Sequence, residues 1–162
     1  MPTIAVVPSG LKWSEVVFRG SQQARIDEKG RLKIPSDFRG VLEDRYGTRV
    51  FLTSYFGDSV LIFPLPVWEE MENKLLALPS TLEERDRLLE AVNYYGVLTD
   101  LDAQGRVLIP QRLRDSAEIV GDVDVVGKLK VLEVWNHEQL RARVEGKRLT
   151  KADLAVLSDA GI

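Results

Sequence analysis

The chain has 162 residues, a net charge of -3, no cysteine and one histidine, His137. A length of this order supports one ordinary domain or two small fused ones, which bury roughly two thirds of their unfolded surface and fold without cross-links. Disulfides and thiolate metal sites are excluded, and the apolar run at residues 4–7 is too short for a signal segment or a membrane span, so a soluble cytoplasmic protein is expected.

In chain order, residues 17–26 open with β-branched and aromatic side chains and predict a strand. Residues 27–30 then supply a turn in which Gly30 takes positive φ without steric cost. A second strand follows at 31–34. Pro35 lacks the N–H that a helix start does not need, so it suits the first turn of a short helix running through Phe38, Val41 and Leu42. Strands at 50–53 and 60–63 flank Gly57-Asp58-Ser59, which signals a hairpin.

Apolar residues at helical spacing predict helices over 65–78 and 81–94, separated by Pro79-Ser80, that link the two halves of the chain. Next come a strand at 97–101, a turn at 102–105, a strand at 106–109, a helix at 111–118 and strands at 123–128 and 130–135. Trp135-Asn136-His137-Glu138 opens a helix as an echo of Pro66-Val67-Trp68-Glu69, and Thr150 begins a peripheral helix in the tail.

The second set of elements repeats the first. Residues 27–39 and 102–114 agree at six of thirteen positions: an Asp, a Gly, an Arg, an Ile, a Pro and a final Arg four residues beyond the Pro. Self-similarity tied to turn chemistry points to two copies of one supersecondary unit. A unit with so many strand edges cannot bury its apolar face alone. Pairing of the copies gives a β-rich α+β fold, a pseudo-two-fold core with both turns on one side.

Charge is unevenly spread. Residues 17–39 carry six basic side chains (Arg19, Arg25, Lys29, Arg31, Lys33, Arg39) against three acids, a net +3, whereas residues 40–100 carry five against eleven, a net -6. The overall charge argues against a nucleic-acid partner, but the asymmetry fits a face that meets an anion. A solvated acidic helix pair beside a neutral sheet fits equally well.

Asp27 and Asp102 begin their turns, where a carboxylate accepts backbone N–H groups two residues on, a structural role. An arginine four residues later, Arg31 or Arg106, fits either a surface ion pair back to that aspartate, which is worth little, or a guanidinium oriented to meet a phosphate or a guanine edge bidentately. A structural turn needs the Asp and the Gly but no Arg. Its recurrence, with Lys29 beside the first copy, favours contact with nucleic acid. Arg19, Arg25 and Lys33 extend that footprint or merely guard strand edges. Arg39 and Arg114 read as partners of neighbouring acids, and Trp13, Trp68 and Trp135 as packing anchors.

With one histidine, no cysteine, no Gly-rich phosphate loop and no nucleophile elbow, an enzyme is not expected. His137 reads as a helix-start residue. The Glu69-Glu70 and Glu83-Glu84 pairs read as solvated helix faces.

Phe18-Arg19-Gly20-Ser21, the Asp27-to-Arg31 turn through Pro35 and the Asp102-to-Arg106 turn through Pro110 resemble the MraZ family of bacterial transcriptional regulators, over residues 17 to about 144. That resemblance implies two tandem SpoVT/AbrB-type swapped-hairpin units about a double-ψ-like barrel core. It divides the chain into an extension at 1–16, a first unit at 17–68, a helical linker at 69–95, a second unit at 96–140 and a helical tail at 141–162.

It further implies a homo-oligomeric ring that binds repeats in duplex DNA upstream of the division and cell-wall gene cluster, its own gene included, and represses it. Such a regulator is nucleoid-associated and takes no cofactor, metal or small-molecule substrate. By position the DNA contacts fall on Asp27, Lys29 and Arg31 and on Asp102 and Arg106; Arg19 joins the DNA-binding set as a phosphate contact read from its own charge. Gln104 replaces the equivalent of Lys29, which weakens the second copy.

Val17 stands where family members commonly start with Met, so the sixteen preceding residues are expected to be disordered or to reflect an upstream start. Two other readings fit the same residues: an antitoxin-like or transition-state regulator, and a scaffolding ring that meets proteins through its acidic helices.

Overall fold

The computed structural model describes residues 17–162, and the expectations placed on residues 1–16 and on Trp13 lie outside the described residues. The first unit runs β1 (Ser21–Arg25), β2 (Arg31–Lys33), α1 (Ser36–Arg45), β3 (Arg49–Thr53) and β4 (Val60–Pro64). Two helices follow, α2 (Leu65–Leu76) and α3 (Glu83–Tyr95). The second unit repeats the order as β5 (Val97–Asp100), β6 (Arg106–Leu108), α4 (Gln111–Ala117), β7 (Asp122–Gly127) and β8 (Leu132–Asn136), before α5 (His137–Gly146) and α6 (Lys151–Ser158). Pro35 and Pro110 stand at the N-caps of α1 and α4, so each short strand passes into its helix at a residue whose φ is already set.

Each unit lends its first strand to the other. β1 pairs with β7 and β5 with β3, all antiparallel, and β4 pairs with β8 to give a six-stranded sheet in the order β1-β7-β8-β4-β3-β5. β2 and β6 form a separate two-stranded ribbon. Leu32 and Val107, equivalent in the repeat, face each other in that ribbon. Leu61 and Glu133, each four residues ahead of the helix that follows, face each other between β4 and β8. One pseudo-two-fold axis passes through both pairs.

The strands do not close, which corrects the expected double-ψ-like barrel. β1 and β5 end the sheet, and Ile26–Leu32 is a single isolated bridge toward the ribbon. The physical reason is length. A positive-φ glycine turn precedes each ribbon strand and a proline follows it, leaving three paired residues, too few to stitch both sheet edges together.

The main core lies between one face of the sheet, the ribbon and helices α1 and α4. Leu32, Val50, Leu52, Ile109, Leu113 and Val125 are buried in it. A second cluster sits on the other face under α2 and α3, built on Leu61, Phe63, Trp68 and Val92. The helices that connect the repeats therefore also roof the sheet over β3 and β4. Trp68 stacks on Phe51 at 4.8 Å and meets Phe63 at 4.9 Å, and Trp135 is equally buried beneath Arg143, so both described tryptophans are packing anchors.

Trp135 lies in β8, however, and α5 begins two residues later at His137. The expected echo of Trp68 is thus out of register: Phe63, not Trp68, holds the place of Trp135 relative to the following helix. His137 does start its helix, and its Nδ1 sits 2.7 Å from the buried Asp124 carboxylate. At the tail, α6 is capped by Thr150 and Asp153 in a reciprocal pair of hydrogen bonds yet buries no residue. No helix among the described residues is long and apolar enough to cross a membrane.

Candidate nucleic-acid interface

Both turns have the same internal wiring. Asp27 Oδ1 accepts the backbone N–H of Lys29 at 3.0 Å and of Arg31 at 2.8 Å, while its Oδ2 accepts Arg31 Nε–H at 2.8 Å. Asp102 takes the N–H of Gln104 and of Arg106, both at 2.9 Å, and Arg106 Nε–H at 2.8 Å. Gly30 and Gly105 stand at φ +84° and +75°, the left-handed region in which a side chain would be strained. Each aspartate thus closes the turn and clamps one edge of its arginine. Among the described residues no partner is found for the Nη groups of either guanidinium, which leaves the fork end free for a bidentate acceptor.

Both carboxyls are held below the usual aspartate range, chiefly by the backbone N–H of Arg31 and of Arg106, against the smaller opposing effect of burial. They are ionised throughout the neutral range, so the clamp is permanently set.

The ribbon brings the two turns together. Strand alternation sends Leu32 and Val107 into the core, which leaves Arg31, Lys33, Arg106 and Leu108 on the opposite face. The register sets Lys33 against Arg106 and Arg31 against Leu108. By diagonal spacing across a strand pair, the two arginines stand roughly 7–8 Å apart at their Cα atoms. Both side chains are about one-third exposed. Lys29 is exposed on the first turn. Arg19, also exposed, precedes β1 and lies beyond the end of that strand opposite the turn, apart from the ribbon. Arg25 at the near end of β1 meets Asp122 at 3.4 Å, both exposed.

Arg39 and Arg114 do more than their positions suggested. An added Cβ on Gly105 would meet Arg39 Cδ at 2.6 Å, and one on Gly30 would run into Arg114 Cζ. Each unit's last signature arginine therefore packs against the turn of the other unit. Arg39 also pairs with Glu43 at 2.9 Å, as expected of it, and donates to the Ala103 carbonyl at 3.1 Å. Arg114 pairs with no acid among the described residues and donates to the Ile109 carbonyl at 2.9 Å. The signal was present in the repeat, where a Gly and an Arg recur together nine residues apart, but its crosswise partner was not.

An internally duplicated α+β chain that presents one arginine-bearing turn twice on a single ribbon defines the class: a tandem-module protein with a paired, cationic face. Comparison with known proteins carries this to a family. The family model described as "MraZ protein, putative antitoxin-like" matches residues 17–91 and 97–152. The chain is 44% identical over 146 residues to the transcriptional regulator MraZ of Acidobacterium capsulatum, covering 90% of this chain and 100% of that protein. The protein of the same name from Koribacter versatilis is 46% identical over 147 residues with the same coverage. That of Pseudomonas putida is 36% identical, covering 90% of this chain and 93% of its own length. The chain belongs to the MraZ family.

Proposed function

We propose that this chain is a transcriptional regulator that grips duplex DNA with the exposed face of the β2–β6 ribbon. The single observation behind this reading is the duplicated clamp, an aspartate that fixes a turn and holds an arginine by Nε while its Nη groups have no partner among the described residues, present twice on one face. In this reading Arg31 and Arg106 reach phosphates or guanine edges, Lys29 and Lys33 add phosphate contacts, and Asp27 and Asp102 act through the turn. The names of the relatives support regulation of transcription.

The operator is a set of repeats upstream of the division and cell-wall gene cluster, and binding represses that cluster together with the regulator's own gene. A net charge of -3 leaves one chain a weak polyanion binder, so the regulator acts as a homo-oligomeric ring whose repeated faces engage repeated elements.

The test is a gel shift on the DNA upstream of the chain's own reading frame across a salt series. Affinity should fall steeply and linearly on logarithmic axes. Absence of salt-dependent binding would instead support a scaffold that meets proteins through its acidic helices.

A further inference from the structure

The two copies differ in how they neutralise their last signature arginine. Arg39 of α1 has Glu43 four residues on as its partner. Glu118 stands in the same place relative to Arg114, but α4 stops at Ala117 and Glu118 takes the left-handed conformation at φ 54°. Its carboxylate accepts a hydrogen bond from Gln139 Nε2 instead. Arg114 is left half-buried against Gly30, its Nε committed to a carbonyl and its charge unmatched among the described residues.

That guanidinium lines an open cleft of about 660 Å³ whose other walls include Arg25, Asp27, Glu28 and Gly121, immediately beside the first turn. Asp27 is occupied by Arg31, and Arg25 is tethered to Asp122 by an exposed ion pair of the kind worth little. Glu28 is exposed and opposes an anion. The matching surface of the second unit lacks the two cations, because Asp100 replaces Arg25 and Arg39 is already neutralised.

We propose that this cleft is a phosphate subsite: Arg114, with Arg25 at its rim, takes a backbone phosphodiester of the duplex held by Arg31. The subsite rests on the proposed DNA-binding role and deepens it, since it makes the first turn the more heavily charged grip.

Arg114→Gln, which keeps a donor against the turn, should reduce the logarithmic salt slope of duplex binding by about one and weaken binding about tenfold at low salt. Arg25→Gln should weaken it less, and Glu28→Gln should strengthen it. The charge-neutral control Arg87→Gln with Glu83→Gln, an exposed ion pair on α3 away from the ribbon, should leave the slope unchanged. An unchanged slope in folded Arg114→Gln overturns the subsite. If that variant fails to fold, unchanged affinity in both Arg25→Gln and Glu28→Gln does so.

Inorganic phosphate, titrated while the amide resonances are followed, separates this proposal from the DNA-binding role itself. Shifts at Gly30 and Gly121 that disappear in Arg114→Gln support the subsite even if no duplex binds. No selective shift, together with an unchanged salt slope, sinks it.

Discussion

Asp27 and Asp102 each divide one carboxylate between two tasks, with one oxygen holding two backbone N–H groups and the other holding a guanidinium edge. Because backbone donors stabilise the ionised form, both folded pKa values lie below the unfolded value of about 3.9. In that window the unfolded chain binds more protons, so stability rises with pH. The contribution is complete above the ordinary carboxylate range and is lost as pH falls through the depressed folded values. Melting temperatures measured across an acid series should therefore drop below about pH 4, and Asp27→Asn should flatten that drop. An identical acid slope in the variant would mean that the turn does not depend on the charge. Gly30 is the second residue the turn cannot exchange. Gly30→Ala imposes positive φ on a side chain and displaces Arg114, a strain of about 1–3 kcal/mol that denaturant unfolding should register.

At the scale of elements, α2 and α6 mark the extremes of packing. Trp68 of α2 is wedged against Phe51 and Phe63, so Trp68→Ala should cost about 3–5 kcal/mol in unfolding experiments. α6 buries nothing, so a chain ending at Gly146 should melt where the full chain does. Elements governed by local chemistry were legible in the sequence. The Asp-to-Gly turns, the helices after Pro35 and Pro110 and the β3–β4 hairpin each have their cause within a few residues. The pairing of the two halves about a pseudo-dyad followed from the repeat itself. The features that were not legible depend on chain far away or on a single backbone angle. The open sheet reflects the three-residue ribbon strands, the place of Trp135 reflects the register of β8, and the unmatched charge of Arg114 comes from the conformation of Glu118. Of the candidate site, the arginines, their clamps and a shared side for the two turns could be read in advance, while the β2–β6 register that sets Arg31 diagonal to Arg106 is a strand pairing that residue spacing does not reveal.

Across the whole molecule, the pseudo-dyad makes two faces that are alike in shape and unlike in charge. β2 offers Arg31 and Lys33 with Lys29 on its turn, whereas β6 offers Arg106 with Leu108 and Gln104 at the matching places. A duplex laid across the ribbon therefore meets a strong half and a weak half. Arg31→Ala should abolish most of the affinity for the upstream DNA, and Arg106→Ala should reduce it less, with melting curves for both close to the wild type because the side chains lie outside the core. The loss should grow with the number of repeats on the duplex, since linked sites multiply each weakened contact. Anisotropy titrations on duplexes with one repeat and with several would measure both effects. Wild-type affinity in the two variants would remove the ribbon from consideration as the DNA face, and equal losses would show that the extra lysines of the first unit never reach the phosphates.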